Sequence, residues 1–370
     1  MRIALIGGVN IPKNGGLEMY MFNLAKQLQK DGHKVWIICQ GDDDKDETVE
    51  GVRVTCLQTA AGFFALYSML NRATNLVVNA AERYDVINYH RFYFTKSLTK
   101  VARKAGIKVC VTNHSFGADN PKHGKVAKMA LKILNYFAFF GVRNCITVSD
   151  YGALLLKERY GNDSQVIHGG IFEPKTKVED TDILKRFGLS RGHYYLTICR
   201  IDPVKELDTL IHAFMKHPKN SSVKLVVAGD TSGTYGQLLV ELAKGDERVV
   251  FTGPVFGLDK ETLLRHAQAY CLISQSEGFP IALLEAMSYG NICLLSDIPA
   301  NHEALPQELG LWSKVGDSDE VYANMRQVED KKINIEGHKE QAKNHVLSNF
   351  TWEKSARQFE EYITGLKTLI

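Results

Sequence analysis

The chain has 370 residues, 45% of them apolar and 24% charged, with a net charge of +3. That length exceeds what one hydrophobic core ordinarily serves, so two domains are expected. The longest apolar stretches, 131–141 and 271–274, fall short of the roughly 20 residues that cross a bilayer, which excludes a membrane-spanning helix.

The first half opens on Met1-Arg2 and the run IALIGG, with no basic leader or small-residue cleavage site, so a cytoplasmic protein is expected. Short β-branched runs at 2–6, 34–39, 52–57, 86–89, 109–112 and 145–148 alternate with helical patterns. This predicts a doubly wound α/β domain. Between the first strand and a helix over 17–29 lies the turn GGVNIPKNGG. Gly15 and Gly16 there lack a side chain that would keep a ligand away from the backbone, but the turn also reads as a flexible connection. It is not the G-x-G-x-x-G of a dinucleotide site.

The acidic run GDDDKDE at 41–47 offers Asp42, Asp43 and Asp44 as oxygen ligands for a divalent ion. A charged, solvated loop is the expected reading. No His/Cys cluster supplies another site, so no metal is expected.

Charge is unevenly placed. Residues 91–145 hold eleven Lys/Arg against one acid, Asp119, while the rest of the chain carries 34 against 41. Lys122, Lys125, Lys128 and Lys132 recur at helical spacing, with Val126, Ile133 and Phe137 at other positions, which predicts an amphipathic basic helix. An anionic membrane surface, a lipid-diphosphate acceptor and an ordinary solvated lysine face all fit it. No nucleic-acid-binding module accompanies the basic residues, so no nucleic-acid partner is expected. The strand at 109–112 runs into VTNHSFGAD, bringing His114 and Asp119.

A polar stretch at 173–182 places a domain boundary near residue 170. A second α/β series follows, with strands at 194–199, 223–228, 249–252, 271–273 and 292–295. The last segment, 352–370, spaces Phe359, Tyr362 and Leu366 as a helix does. The seven cysteines, odd in number and without CxxC spacing, read as buried, reduced thiols. In two such α/β halves, ligands belong at the carboxyl ends of the strands.

The segment ISQSEGFPIALLEAMSYG is the most informative. A buried strand leads into a loop with Glu277, Gly278 and Phe279, and Pro280 suits the start of a helix continuing through Ile281. The N-terminus of that helix favours a diphosphate without a metal. Glu285 lies five residues beyond Pro280, about 7.5 Å along the axis. Two carboxylates so spaced suit hydroxyl-rich groups at the two ends of one extended ligand.

Glu277 and Glu285 form E-x7-E, which resembles the signature of retaining family-4 glycosyltransferases of the GT-B fold, and the resemblance covers nearly the whole chain. It implies two Rossmann-like domains facing across a cleft, 1–170 for the acceptor and 171–350 for the donor, with 351–370 a helix crossing back. Arg200 and Lys205 in ICRIDPVKELDTLIHAF would hold the donor diphosphate. Glu277 would hold the sugar and Glu285 the ribose, beside the backbone of Gly278 to Ile281. Gly15 and Gly16 would approach the diphosphate, His114 the sugar, and Val255, after Gly253-Pro254, the base. In LLSDIPANHEAL, Ser296 and Glu303 would be the polar members of a loop near the donor, with Glu303 a scaffold residue. The implied activity is metal-independent, retaining transfer of a hexose from a nucleoside-diphosphate sugar to a glycan or polyprenyl-linked glycan in cell-surface polysaccharide or lipopolysaccharide synthesis. The implied setting is the cytoplasm, with peripheral attachment to the inner face of the plasma membrane. A nucleotide-sugar epimerase of the same fold, a non-catalytic homologue that binds the donor, and a nicotinamide-dependent dehydrogenase are the alternatives. The chain lacks the glycine fingerprint that the last requires.

Overall fold

The structure, a computed structural model, describes residues 1–12, 15–59, 65–90, 95–115, 124–139, 142, 144–175, 179–330 and 334–366. Asp119 and Lys122 lie outside them, as do the side chains of Val126, Lys128 and Phe137. The chain divides into two compact units, Met1–Gly170 with Trp352–Ile370, and Ile171–Thr351.

The first unit is built on β1 (Arg2–Val9), β2 (Lys34–Gly41), β3 (Lys45–Val49), β4 (Val52–Gln58), β5 (Val86–Tyr89), β6 (Lys108–Asn113), β7 (Cys145–Thr147) and β8 (Gln165–Val166). Among the described residues these form one sheet in the order β3-β4-β2-β1-β5-β6-β7-β8. Every pairing is parallel except that of β3 with β4. Helices α1 (Gly16–Lys30), α2 (Ala65–Val78), α3 (Thr95–Lys104), α4 (Lys125–Phe139) and α5 (Asp150–Tyr160) provide the crossovers. Strands β1, β2, β5, β6 and β7 are buried on both faces, so they read as near-continuous apolar runs.

Asp42, Asp43 and Asp44 form the exposed loop expected of the acidic run, but from Lys45 on the chain is an edge strand, Lys45–Val49, antiparallel to β4. The acids have partners on β4 and α2: Asp46 takes both Arg53 (2.8 Å) and Thr55 (2.7 Å) of β4, and Asp44 takes Arg72 of α2 (2.7 Å) and the Gln58 amide (2.6 Å). Asp42 accepts from Asn10. Charged side chains on an outermost strand also keep it from pairing with another chain.

The C-terminal helix Trp352–Gly365 belongs to the first unit. Trp352, Ala356, Phe359 and Ile363 are buried along one face, and the Trp352 ring meets Tyr20 of α1 edge-on at 5.4 Å. Each such large apolar side chain contributes roughly 1.5–3 kcal/mol. Lys108 donates to the carbonyls of Ile363 and Thr364, satisfying acceptors at the helix end where a cation is favoured.

The second unit carries β9 (Tyr194–Ile198), β10 (Lys224–Ala228), β11 (Val249–Phe251), β12 (Ala269–Leu272), β13 (Ile292–Ser296) and β14 (Gly310–Ser313). Its described strands form one parallel sheet in the order β11-β10-β9-β12-β13-β14. The short strands β8 and β14 were not expected from sequence. Along β9, Tyr194 and Leu196 enter one core and Tyr195 the other, as period-two alternation requires. Tyr194 bonds the Leu263 carbonyl and Tyr195 that of Met325, so each hydroxyl is satisfied within its own layer. The helices are α6 (Ile183–Arg186), α7 (Leu207–Met215), α8 (Thr234–Leu242), α9 (Gly257–His266), α10 (Ile281–Ser288), α11 (Pro299–Ala304), α12 (Ser318–Glu329) and α13 (Ile335–Asn349).

All seven cysteines are free thiols, buried except for Cys199, which is half-buried. Among the described residues no helix is long and apolar enough to cross a membrane.

Candidate active site

In the second sheet the chain leaves β9 toward β10 on one side and β12 toward β13 on the other. The carboxyl ends of β9 and β12 therefore flank the switch point where a doubly wound sheet binds ligands. After β9, Asp202 caps a single 3-10 turn, Pro203–Lys205, by accepting from the Val204 amide at 3.2 Å. Glu206 then takes the left-handed conformation (φ 45°, ψ 43°) and α7 begins. That backbone is unfavourable for a residue with a Cβ. The Glu206 carboxylate offsets the cost by accepting from Gln275 Nε2 (2.6 Å) and the Gly316 amide (2.7 Å), and the Gln275 amide donates to the Val204 carbonyl at 2.8 Å. The loop after β9 is thus tied to the loop after β12.

The two loops bring Lys205 and Glu277 together, Nζ to Oε1 at 2.5 Å, with side chains only 15% and 11% exposed. Burial alone would lower the Lys205 pKa, but the Glu277 carboxylate outweighs it and raises the value, so the ammonium keeps its charge. The resemblance assigns Lys205 and Glu277 to the diphosphate and the sugar of one donor, and does not imply their direct pairing. Glu285 likewise has a partner that sequence reasoning missed, Lys260 on α9 at 2.7 Å. No motif spacing joins those positions, because the strand between their helices sets the contact. Arg200 is 64% exposed, and its guanidinium lies 3.8 Å from Asp202.

Helix α10 starts at Ile281 behind Pro280, as predicted, and no side chain caps it. Two of its first amides already have backbone partners. The Ile281 N–H turns back to the Phe279 carbonyl at 3.0 Å, and that of Leu283 reaches Pro280. Gly278 and Phe279 are half-buried, and the Phe279 ring packs on Phe350 at 5.4 Å. Val255 is buried just beyond Gly253, whose φ of 74° favours glycine. At the ends of β12 and β13, the buried hydroxyls of Ser274 and Ser296 have no hydrogen-bond partner among the described residues. Glu303 is half-buried on α11.

In the first unit, Gly15 has extended backbone ahead of α1, a conformation any residue adopts. A Cβ at Gly16 would meet nothing within 4 Å, so the fold itself does not demand glycine at Gly16. Gly7 and Gly8 at the end of β1, within IALIGG, do need glycine, with φ of 147° and 74°. A Cβ on Gly7 would press on His90 Cβ at 3.0 Å. Buried Glu18 secures this turn by accepting from the Val9 amide at 3.1 Å. His90 follows β5 and His114 follows β6, and the two rings meet with Nδ1 of His90 2.9 Å from Nε2 of His114.

A doubly wound, largely parallel sheet in each of two units is the architecture of the GT-B glycosyltransferases. The family profile described as Glycosyl transferases group 1 matches residues 181–346, and that of Glycosyltransferase Family 4 matches 14–172. The chain belongs to the family-4 glycosyltransferases. It is 25% identical to the N-acetyl-alpha-D-glucosaminyl L-malate synthase of Bacillus anthracis over 96% of this chain and 95% of that one. It is also 25% identical to an Escherichia coli UDP-Gal:alpha-D-GlcNAc-diphosphoundecaprenol alpha-1,3-galactosyltransferase, over 83% and 80% respectively. The solved structure of HepE from Anabaena in complex with UDP-glucose superposes with a TM-score of 0.78 at 17% identity, covering 98% of this chain and 100% of that one.

Proposed function

We propose that this glycosyltransferase moves a hexose, with retention at the anomeric carbon, from a nucleoside-diphosphate sugar to a hydroxyl of a glycan or polyprenyl-linked glycan. The observation that carries this reading is the Lys205–Glu277 pair at the switch point. The acceptor oxygen bonds to the anomeric carbon as the bond to the diphosphate breaks, and negative charge gathers on the departing diphosphate. The Lys205 ammonium, the exposed Arg200 guanidinium and the N-terminal end of α10 stabilise that charge without a metal, from positions set before the reaction. Glu277 accepts from hydroxyls of the transferred sugar, Glu285 from those of the ribose, and His114 bonds the sugar. The backbone of Gly278 to Ile281 and of Gly15 and Gly16 approaches the donor phosphates, and the backbone at Val255 holds the base. The diphosphoundecaprenol acceptor in the name of the Escherichia coli relative supports a lipid-linked acceptor in cell-surface polysaccharide synthesis. Exposed lysines on α4 support peripheral attachment to an anionic membrane from the cytoplasm.

Calorimetric titration of nucleoside diphosphates into the Lys205→Ala and Glu285→Ala proteins tests the site. Both should bind weaker than the parent, and unchanged affinity in both removes the assignment. Turnover unaffected by a chelator is the expected result for a reaction without a metal, and its loss would refute that part.

A further inference from the structure

His90 is fully buried at the end of β5, its amide bonded to the Ile6 carbonyl at 2.8 Å. Its ring Nδ1 lies 2.9 Å from His114 Nε2, and its Nε2 is enclosed with no hydrogen-bond partner among the described residues. Tyr20 closes the group from α1, its ring edge-on to His114 at 5.0 Å and its hydroxyl spent on the Ile167 carbonyl. Burial and the neighbouring His114 push the His90 pKa well below the usual histidine range, so this imidazole is neutral and carries one ring proton.

That proton has two places. On Nε2 it would be a buried donor with nothing to receive it, the arrangement folded proteins most strongly avoid. On Nδ1 it completes the short bond to His114. The bond then fills the lone pair of His114 Nε2, leaving the proton of neutral His114 on Nδ1. We infer that His90 is a positioning residue that fixes the ring orientation and the Nδ1–H tautomer of His114 for transfer. The catalytic consequence rests on the assignment of His114 to the donor sugar. A ring held as an Nδ1–H donor meets a sugar oxygen as a hydrogen-bond donor, and Gly7, with no Cβ to displace His90, is part of the same device.

Ring-nitrogen NMR of the full chain labelled with 15N-histidine, assigned with His114→Gln, reads the tautomer directly. The expected spectrum has His114 unprotonated at Nε2 and protonated at Nδ1. A proton on Nε2 overturns the inference. In kinetics, His90→Leu should lower kcat about 10- to 100-fold with the donor KM within about threefold of the parent. His90→Asn, whose amide places an N–H near the position of Nδ1, should recover most of the loss. A Leu variant with the parent kcat also overturns the inference. If that variant fails to fold, the parent spectrum alone decides. Unchanged transfer by His114→Ala would instead remove the sugar contact and leave the tautomer standing.

Discussion

Lys205 Nζ and Glu277 Oε1 lie 2.5 Å apart although 72 residues separate them in the chain. Their loops leave adjacent strands in opposite senses, so the pair occupies the one place where a parallel sheet opens at its carboxyl edge. The contact sets an ammonium and a carboxylate in place before any ligand arrives.

Removing either partner should destabilise the second unit, because each substitution leaves a largely buried charge unpaired. Lys205→Ala and Glu277→Ala should each cost about 3 kcal/mol. The double variant should cost clearly less than their sum, since it leaves no orphan. Urea unfolding of the parent and three variants gives the coupling, and strict additivity would refute a direct pair.

Glu206 offers a test in which the backbone and the side chain pull apart. Ala at this position keeps the left-handed strain and loses the bonds to Gln275 and Gly316, costing about 2–3 kcal/mol. Gly loses the same bonds but relieves the strain, so it should be about 1 kcal/mol more stable than Ala. Both variants should also bind nucleoside diphosphate weaker than the parent, because the tie between the two loops loses the side-chain bond from Gln275 and keeps its backbone bond to Val204. Equal stability of the Gly and Ala proteins would show that the φ of 45° carries no cost.

The alternation of apolar strands and helices made both doubly wound sheets legible, and the start of α10 could be read from Pro280. The strand β3 could not, because Lys45, Asp46 and Glu47 belong in a sheet only when Arg53 and Thr55 stand across from them. The same reason hid the partners at the candidate site. E-x7-E marks Glu277 and Glu285 in sequence, but Lys260 and His90 acquire their meaning from strand order. Gly15 and Gly16 stand out in sequence as a pair, whereas the need for glycine at Gly7 and Gly8 comes from the backbone at the end of β1 and from the packing of His90, which sequence alone does not display.

Acid should weaken the second unit through Asp246. Its carboxylate takes two bonds from Arg248, at 2.8 and 2.7 Å, and one from Lys219 at 3.0 Å, and the Arg248 guanidinium foremost holds its pKa well below the ordinary aspartate range. With the folded pKa depressed, the unfolded chain takes up the proton first as pH falls. The contribution is full above the unfolded value of about 3.9 and fades below it. Asp246→Asn should be less stable than the parent at pH 7, and the gap should narrow as pH falls below about 4. Denaturation midpoints across that range decide it, and a constant gap would mean the carboxylate charge is not the cause.

Helix α4 supplies the test of membrane attachment. Met129, Ile133 and Tyr136, 62%, 52% and 49% exposed, recur at spacings of four and three along it, and Lys125 and Lys132 are exposed on the same helix. Apolar residues left in solvent beside cations suit an anionic lipid surface, where the rings and chains enter the headgroup boundary and the ammonium groups meet phosphates. Full burial of Met129 and Ile133 contributes roughly 1.5–3 kcal/mol each, against about 1 kcal/mol for each lysine near the surface. The double variant Met129→Ser, Ile133→Ser should therefore lose more affinity for phosphatidylglycerol vesicles than Lys125→Gln, Lys132→Gln, while keeping the salt sensitivity of the parent. The lysine variant should bind with a shallower dependence on salt, because screening acts on the charges and not on the buried chains. Co-sedimentation at two salt concentrations measures both effects, and failure of the parent protein to sediment with these vesicles at low salt would remove the membrane from the proposed function.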